Sequence, residues 1–568
     1  MTPTRNLSRS DWIRKLTDRG TDYEIISSEV WGRKCRVFKN APASLRALFE
    51  EARSDETFLV YKNERYTFEE TWQSSARIAS ILINQYGIEK GDRVALCLRN
   101  YPEWVMIFNA ITSIGAIAVA MNALWIRDEL AYGLDDSGAK ILIADQERLD
   151  RLTSVYNKLD IQVVAVRPQK TLPADIPDLS DLMAKAGAVE MPLVPLQGTD
   201  PATIFYTSGS TDHPKGVLSC HANIITALLS WELDRKVHEA MLNLTPEAPP
   251  HQPGALLAIP LFHVTGSHAV MLTSYRSQRK IVSMYKWDAV EAAKLIELEN
   301  ISVFTAPAAM TGDLVEIGKK TNRDLSSLIA VGGGGAPRAP EQVKNIPLSF
   351  ANAQPNTGWG MTETNGIGTG IGGEDYLAHP GSSGRCSAVL DIRIVDESNA
   401  QSNDESPTGE RGEVLIRGAS IFKGYWNRPE ANAEVFLDEW LRTGDIGYLD
   451  EEGYLYIVDR IKDLVIRGGE NIACAEVEAA LLSHEKILEA SAYAVPDARL
   501  GEEVGVSLYC SGSISEEHLR LFLSSKIASF KIPRYMHFCE EPLPRIASGK
   551  INKRQIREAV TTRLNKPV

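Results

Sequence analysis

At 568 residues the chain exceeds what one hydrophobic core usually supports, so at least two domains are expected. Hydrophobic residues at 44% and charged residues at 24% fit an ordinary globular protein and exclude extensive disorder. A formal net charge of −13 argues against a nucleic-acid partner, whose binding surface needs a clustered basic excess, so an anionic substrate must find its positive charge locally.

The N-terminal Met-Thr-Pro-Thr-Arg-Asn-Leu carries no apolar signal core, and a cytoplasmic location is expected. Thr67 and Glu70 form a capping box ahead of the helical stripe Trp72, Ala76, Ala79, Leu82 and Ile83, which stops near Gly87. Residues 92–98 read as a strand, and Asn100-Tyr-Pro102 as the cap and first turn of the next helix. The uncharged stretch 105–125 is long enough for a membrane span, yet Asn109, Thr112, Ser113, Gly115 and Asn122 interrupt it. It reads instead as a buried helix, a break at Gly115 and a buried strand, with no integral membrane span.

Further apolar runs at 140–144, 161–166, 202–206, 256–260, 301–305 and 328–331 are separated by helical or loop lengths. The fold class is therefore α/β, with helix-covered parallel sheets in a large multi-subdomain N-terminal domain. Residues 192–200 and 398–409 are polar, turn-rich connectors, and no fixed-period repeat is visible. Past Asp459-Arg-Ile-Lys462-Asp463 the texture changes: a helix at 475–484, strands at 488–495 and 504–510, and a helix from Ser515 describe a small α+β domain. The boundary is placed between residues 461 and 462, giving domains 1–461 and 462–568. Seven cysteines without a C-x-x-C pair, and no H-E-x-x-H, point to a reduced compartment and no structural zinc.

The most informative segment is Tyr206-Thr-Ser-Gly-Ser-Thr-Asp-His-Pro-Lys215-Gly216. A buried strand leads into a loop where backbone N–H groups, hydroxyls and one ammonium converge, a spot suited to a polyphosphate. It is not a Walker A loop, because Pro214 stands at the second glycine and Gly216 follows the lysine. Downstream come Pro260-Leu-Phe-His263-Val-Thr-Gly266, the run Gly332 to Gly335 with Ala336-Pro337, and Gly358-Trp359-Gly360-Met361-Thr362-Glu363. Thr443-Gly-Asp445, Asp459-Arg460, Arg467-Gly468-Gly469-Glu470-Asn471 and Pro544-Arg-Ile-Ala-Ser-Gly549-Lys550 complete the series.

In this order the set resembles the adenylate-forming superfamily of acyl-CoA synthetases, peptide-synthetase adenylation domains and luciferases. The pattern around His263 is closest to that of fatty or general acyl-CoA ligases, and the likeness runs from about Leu45 to the C-terminus. The resemblance implies a large N-terminal domain holding ATP and the acyl pocket, a small mobile C-terminal lid, and a cleft between them. It implies ATP, Mg²⁺ and CoA as cofactors and a small-molecule carboxylic acid as substrate, and a homodimer is the assembly considered. Thr207, Ser208, Gly209, Ser210, Thr211 and Lys215 would hold the β and γ phosphates, and Glu363 the Mg²⁺ ion.

By the same resemblance Asp445 accepts both ribose hydroxyls and Arg460 donates to the ribose or a nearby phosphate. Gly334, Gly335, Ala336 and Pro337 form a flat wall for adenine, and Trp359, within Gly358 to Thr362, closes its other face. Lys550 contacts the reacting carboxylate and α-phosphate, and joins His263, Glu363 and Thr207 as the expected catalytic residues. Lys462 is the expected hinge, whose rotation would bring Gly468, Gly469 and Glu470 inward to line a passage for pantetheine.

Two departures carry expectations of their own. Asp212 stands where the phosphate loop of the family usually has glycine, placing a carboxylate beside phosphates and weakening ATP binding. Residues 260–270 carry no aspartate to pair with an amino group, so a neutral acyl chain is favoured over an amino acid. Val264, Gly266, Ser267, Val270 and Met271 are its expected apolar wall. Loading of a carrier protein and nucleotide binding without turnover are the rival readings. The Arg467-Gly-Gly-Glu segment favours CoA over the first, and the presence of both Glu363 and Lys550 weighs against the second.

Overall fold

The computed structural model describes residues 7–153, 161–207, 213–242, 250–334, 338–396, 404–468, 470–497, 499–546 and 549–564, with side chains described to residue 560 and that of residue 462 excepted. Two sheets face a shared core in the N-terminal part. In the first, strands 201–207, 117–120, 93–97, 141–145 and 162–166 run parallel, and 215–220 and 424–425 extend its edge antiparallel.

The second sheet is a hybrid. Strands 57–61, 280–283, 254–257, 303–305, 330–332 and 354–359 are parallel, after which 369–372, 384–386, 454–460, 440–449, 412–418 and 390–395 continue antiparallel. The parallel arrangement expected from the apolar runs therefore holds for only part of this sheet. The apolar runs 256–260, 301–305 and 328–331 all fall on its parallel strands, whereas adjacent antiparallel strands such as 440–449 and 454–460 need no helical crossover between them.

Between the sheets lies the helix Pro102–Ser113, with ten of its side chains from Trp104 to Ser113 buried and Trp104 and Phe108 stacked at 5.2 Å. Such a helix, apolar nearly all round, is stable only when covered on every side. The break at Gly115 (φ +73°) and the buried strand Ile117–Ala120 follow it. Among the described residues no helix is long and apolar enough to cross a membrane. The capping box closes as read: Glu70 N donates to Thr67 Oγ1 at 3.0 Å, and Thr67 N to Glu70 Oε2 at 2.8 Å.

Asn100 is not the helix cap. Tyr101 occupies that position with no side-chain hydrogen bond, and Asn100 instead donates to Ile259 O at 3.0 Å and accepts from Leu261 N at 3.0 Å. The buried amide thereby pins the turn that leads into His263.

The C-terminal part has its own five-stranded sheet and its own core, in which Val465, Val477, Leu481, Val504, Val506 and Leu519 are fully buried. A single 3₁₀ turn, Ile461–Asp463, joins it to strand 454–460, and Ala475 N donates across the joint to Asp459 Oδ2 at 3.2 Å.

Candidate active site

Strand pairing fixes the centre of the site. Asp445 and Arg460 face one another across neighbouring antiparallel strands, and Arg460 Nε donates to Asp445 Oδ1 at 2.9 Å. From the opposite side Trp359 Nε1 donates to Asp445 Oδ2 at 2.8 Å. Asp445 is buried, and its backbone N–H is anchored to Thr443 Oγ1, which in turn donates to Val414 O. Arg460 is held protonated above its ordinary range, chiefly by the charge of Asp445.

Trp359 ends strand Gln354–Trp359, and the glycines on either side are there for backbone clearance. A Cβ on Gly358 would stand 2.5 Å from Thr369 O, and one on Gly360 2.5 Å from Gly366. Only glycine lets these segments approach so closely. Met361 and Thr362 follow into the 3₁₀ turn Thr362–Thr364, which carries Glu363.

Glu363 is buried, and Tyr425 Oη donates to its Oε1 at 2.8 Å. Burial pushes its pKa up, against the hydrogen bond from Tyr425 and the charge of Arg460. Tyr425 lies on strand 424–425, which pairs with strand 215–220. That pairing sets Lys215 Nζ 5.0 Å above the Tyr425 ring. Lys215 itself opens the strand rather than sitting on the loop, opposite Thr207, whose Oγ1 donates to Lys215 O at 3.4 Å. Ser208, Gly209, Ser210, Thr211 and Asp212 lie outside the described residues, as do Gly335, Ala336, Pro337 and Gly469.

The C-terminal part reaches into this crevice. Its Gly549 (φ +82°) packs on the N-terminal part, where a Cβ would meet Met310 Cε at 3.2 Å. Lys550 follows on a turn held by Ile546 N to Lys550 O at 2.8 Å and by Arg545 Nη1 to Gly549 O at 2.7 Å. Burial and then the Arg460 charge depress the Lys550 pKa to about 8, while Asp445 opposes the shift. His263 is depressed to about 4 by burial and by the Lys550 charge, so its imidazole is neutral near pH 7, and its buried Nε2 makes no hydrogen bond. Lys550, His263, Arg460, Asp445 and Glu363 thus form one electrostatically coupled group.

The hairpin carrying Gly468 and Glu470 does not share it. Gly468 (φ +61°) donates to Leu500 O at 2.8 Å, and the neighbouring Arg467 forms a two-point bond to Glu503 at 2.7 and 3.0 Å. Lys462 lies within the connecting 3₁₀ turn.

Beyond His263 the chain forms a π-helix, Thr265–Leu272, a rare geometry that recurs at functional sites. Thr265 Cγ2 would lie 3.7 Å from a Cβ on Gly334, so this helix starts against the glycine run. A small recess of about 10 Å³, room for about one water, separates its Ala269 and Val270 from Ala255, Val303 and Thr305 of the sheet, with Arg279 also on its lining. Of the five wall residues expected, Val270 lines this recess. Val264, Ser267 and Met271 are buried away from it, and Gly266 packs on the Pro260 carbonyl.

Could these residues hold a magnesium ion and nucleotide? No cluster of three metal-binding side chains occurs among the described residues. One carboxylate is nonetheless what Mg²⁺ takes when phosphates and water supply its other ligands. Glu363, buried beside Tyr425 with its Oε1 accepting from the tyrosine hydroxyl, fits that role. Tyr425 is the site residue the sequence reading missed. Its signal was the Gly424-Tyr-Trp426 cluster after an apolar run, which acquires meaning only through pairing with a distant strand.

The AMP-binding enzyme family matches residues 47–426, and the AMP-binding enzyme C-terminal domain matches residues 476–550. The chain is 32% identical over 502 residues to long-chain-fatty-acid–CoA ligase FadD13 of Mycobacterium tuberculosis, covering 87% of this chain and 93% of that protein. It is also 32% identical over 501 residues to the 2-succinylbenzoate–CoA ligase of Geobacillus kaustophilus, again with 87% and 93% covered. Among solved structures, o-succinylbenzoate CoA synthetase from Bacillus subtilis with its acyl-adenylate intermediate superposes with a TM-score of 0.76 at 28% identity, covering 91% of this chain and 98% of that one. With both domain signatures and the full-length relatives in agreement, the chain belongs to the AMP-binding enzyme family, the adenylate-forming enzymes that its motifs resemble.

Proposed function

We propose that this enzyme activates a medium- or long-chain carboxylic acid as acyl-AMP and transfers the acyl group to CoA. The observation that carries this reading is the entry of Lys550 into the crevice of Asp445, Arg460 and His263. A carboxylate is a poor acyl donor because its leaving group is oxide. Its oxygen therefore attacks the α-phosphorus of ATP, the bond to pyrophosphate breaks, and AMP becomes the leaving group.

Each residue has a task in this scheme. Asp445 receives the ribose hydroxyls on the lone pairs that Trp359 and Arg460 leave open, since each carboxylate oxygen can accept twice. Lys215 and the loop that begins at Thr207 take the outer phosphates. Glu363 would hold Mg²⁺, which when bound neutralises phosphate charge. Lys550 brings an ammonium to the carboxylate and α-phosphate, where repulsion between two anions is greatest. Neutral His263 borders that point without adding charge.

Thioester formation needs the lysine to leave and the CoA thiolate to reach the acyl carbon, releasing AMP. Rotation at Lys462 would exchange Lys550 for the hairpin of Gly468 and Glu470. The absence of any aspartate in residues 260–270 to pair with an amino group supports a neutral acyl chain over an amino acid.

The test is pyrophosphate release with ATP, Mg²⁺ and a panel of carboxylic acids, followed by thiol consumption with CoA or a phosphopantetheinyl carrier protein. Acid-dependent release with CoA consumption is expected. Release with no acid in the panel would defeat the ligase reading, and thiol consumption with the carrier alone would replace CoA as acceptor.

A further inference from the structure

The family match begins at residue 47, yet a hairpin ahead of it is bonded into the surroundings of Glu363. Strands Ile25–Val30 and Arg33–Phe38 pair antiparallel through the turn Trp31-Gly32, where both residues have positive φ, +53° and +79°. Two strands alone are marginal in water, so this hairpin depends on what it docks against. Trp31 Nε1 donates to Thr199 O at 2.9 Å, and Arg36 Nη2 to Leu390 O at 2.8 Å. Arg33 reaches a third place, the segment 419–423.

That segment is irregular backbone between strand 412–418 and strand 424–425, and residues 419–422 are buried, so its carbonyls need partners from side chains. Asn223 Nδ2 donates to Ala419 O at 2.7 Å and Asn365 Nδ2 to Ser420 O at 2.8 Å. Arg33 serves two more: its Nη1 donates to Phe422 O at 2.9 Å and its Nη2 to Lys423 O at 3.0 Å. Along a regular strand successive carbonyls alternate sides. Here two neighbours are offered to one group, and the forked guanidinium spans them. The guanidinium carbon also stands 4.0 Å above the Phe436 ring, which stacks on Phe422 at 5.4 Å.

The segment clamped in this way holds Glu363 twice. Phe422 N donates to Glu363 O at 2.9 Å, and Tyr425 Oη donates to Glu363 Oε1 at 2.8 Å. The rings of Phe422 and Tyr425 meet edge to face at 5.0 Å, so the two contacts move together. Backbone and carboxylate of Glu363 are thus tied to a stretch whose neighbouring carbonyls, 422 and 423, belong to Arg33.

We propose that Arg33 is a positioning residue for Mg²⁺·ATP: by fixing residues 422 and 423 it sets where Phe422 and Tyr425 hold Glu363. This rests on the reading of Glu363 as the Mg²⁺ carboxylate, and it makes the N-terminal hairpin a brace of the nucleotide site. Arg33 touches neither metal nor nucleotide and acts through two intervening residues.

The experiment measures equilibrium binding of Mg²⁺·ATP, and of ATP in the presence of a chelator, by calorimetry on the full chain with no acid added. The variants are Arg33→Met, Arg33→Lys, Arg36→Met and Glu363→Gln. In Arg33→Met the Kd for Mg²⁺·ATP should rise roughly 5- to 20-fold, somewhat less than the 10- to 100-fold typical of a group bonded directly to a metal ligand. Metal-free ATP should bind as before, and Arg33→Lys, with one ammonium in place of the fork, should lie between. Arg36→Met, which cuts the tie of the hairpin to Leu390 instead, should change neither constant. Equal weakening of Mg²⁺·ATP and metal-free ATP, or the same loss in Arg36→Met, would mean that the hairpin only stabilises the fold, and overturns the assignment. An Arg33→Lys enzyme indistinguishable from the unmodified one overturns it even if Arg33→Met does not fold. Glu363→Gln separates the two layers of the reading. If it leaves Mg²⁺·ATP binding unchanged, the magnesium role of Glu363 falls and this inference with it; if it weakens binding while Arg33→Met does not, the role of Arg33 alone falls.

Discussion

Trp359 and Asp445 are joined by a hydrogen bond of 2.8 Å from the indole N–H to Oδ2, while Arg460 occupies the other oxygen. The indole therefore orients the carboxylate, beside the role toward adenine that its motif implies. Trp359→Phe keeps an aromatic face and removes the donor, freeing Asp445 to rotate. The expected outcome is a rise in the KM for ATP of about 5- to 10-fold with a smaller change in kcat, as for loss of one hydrogen bond worth about 1 kcal/mol. An unchanged KM for ATP in the pyrophosphate-release assay would leave the ring as the only contribution of this residue.

Tyr425 is expected to act through Glu363. Its hydroxyl is the hydrogen bond that opposes the burial-driven rise of the Glu363 pKa. In Tyr425→Phe the carboxyl pKa rises further, so the fraction ionised at a given pH falls and the acid limb of the rate profile moves upward. The Mg²⁺ concentration for half-maximal adenylation should rise with it, by roughly 5- to 30-fold. A magnesium titration near pH 6 and again near pH 8 checks this, because the deficit should be larger at the lower pH. Equal deficits at both would assign Tyr425 to packing.

Lys550 gives the alkaline limb. With its pKa near 8 in the folded chain, against 10.5 for an ordinary lysine, it loses its charge as pH rises through about 8. Adenylation at low substrate concentration should decline across that pH. Lys550→Arg, which stays charged, should move the decline upward, and Lys550→Ala should cost roughly 10²–10³ in rate. Stability has the opposite sign: between about 8 and 10.5 the unfolded chain binds more protons at this lysine, so its contribution becomes more favourable as pH rises. A pyrophosphate-release profile with no lysine-dependent limb would remove Lys550 from the chemical step.

The parts of this arrangement visible in the sequence are those fixed locally. Thr67 and Glu70 cap a helix within three residues of each other, and Gly115 ends a buried helix by its own backbone conformation. The order of the motifs also groups Glu363, Asp445, Arg460 and Lys550 into one expected site. What stayed hidden is non-local. Asn100 could have capped its own helix, but the competing carbonyl of Ile259 and the N–H of Leu261 belong to a distant turn. Tyr425 reaches Glu363 only because its two-residue strand pairs with Val217 and Leu218. The strand Tyr535–Cys539 escaped notice because Tyr-Met-His-Phe-Cys alternates weakly, and its parallel pairing with residues 505–509 depends on tertiary context.

The joint between the two parts makes the last prediction. Strand Tyr454–Arg460 ends at the crevice, one 3₁₀ turn follows, and the next strand already belongs to the C-terminal core, so the proposed rotation would be absorbed by residues 461–463. In the present pose Gly549 packs near Met310 and Asp459 Oδ2 accepts from Ala475 N, contacts that under the proposed scheme accompany adenylation and would break for the Gly468 hairpin to approach. Proline fixes φ near −65°, a value a 3₁₀ turn tolerates, so Lys462→Pro should preserve this pose while restricting departure from it. Pyrophosphate release in the first turnover should then fall by less than about threefold, whereas CoA thioester formation from preformed acyl-AMP falls by roughly 10²-fold or more. Measuring the two half-reactions separately decides it: parallel losses would mean that proline damaged the joint itself, and the rotation would have to be sought elsewhere along the chain.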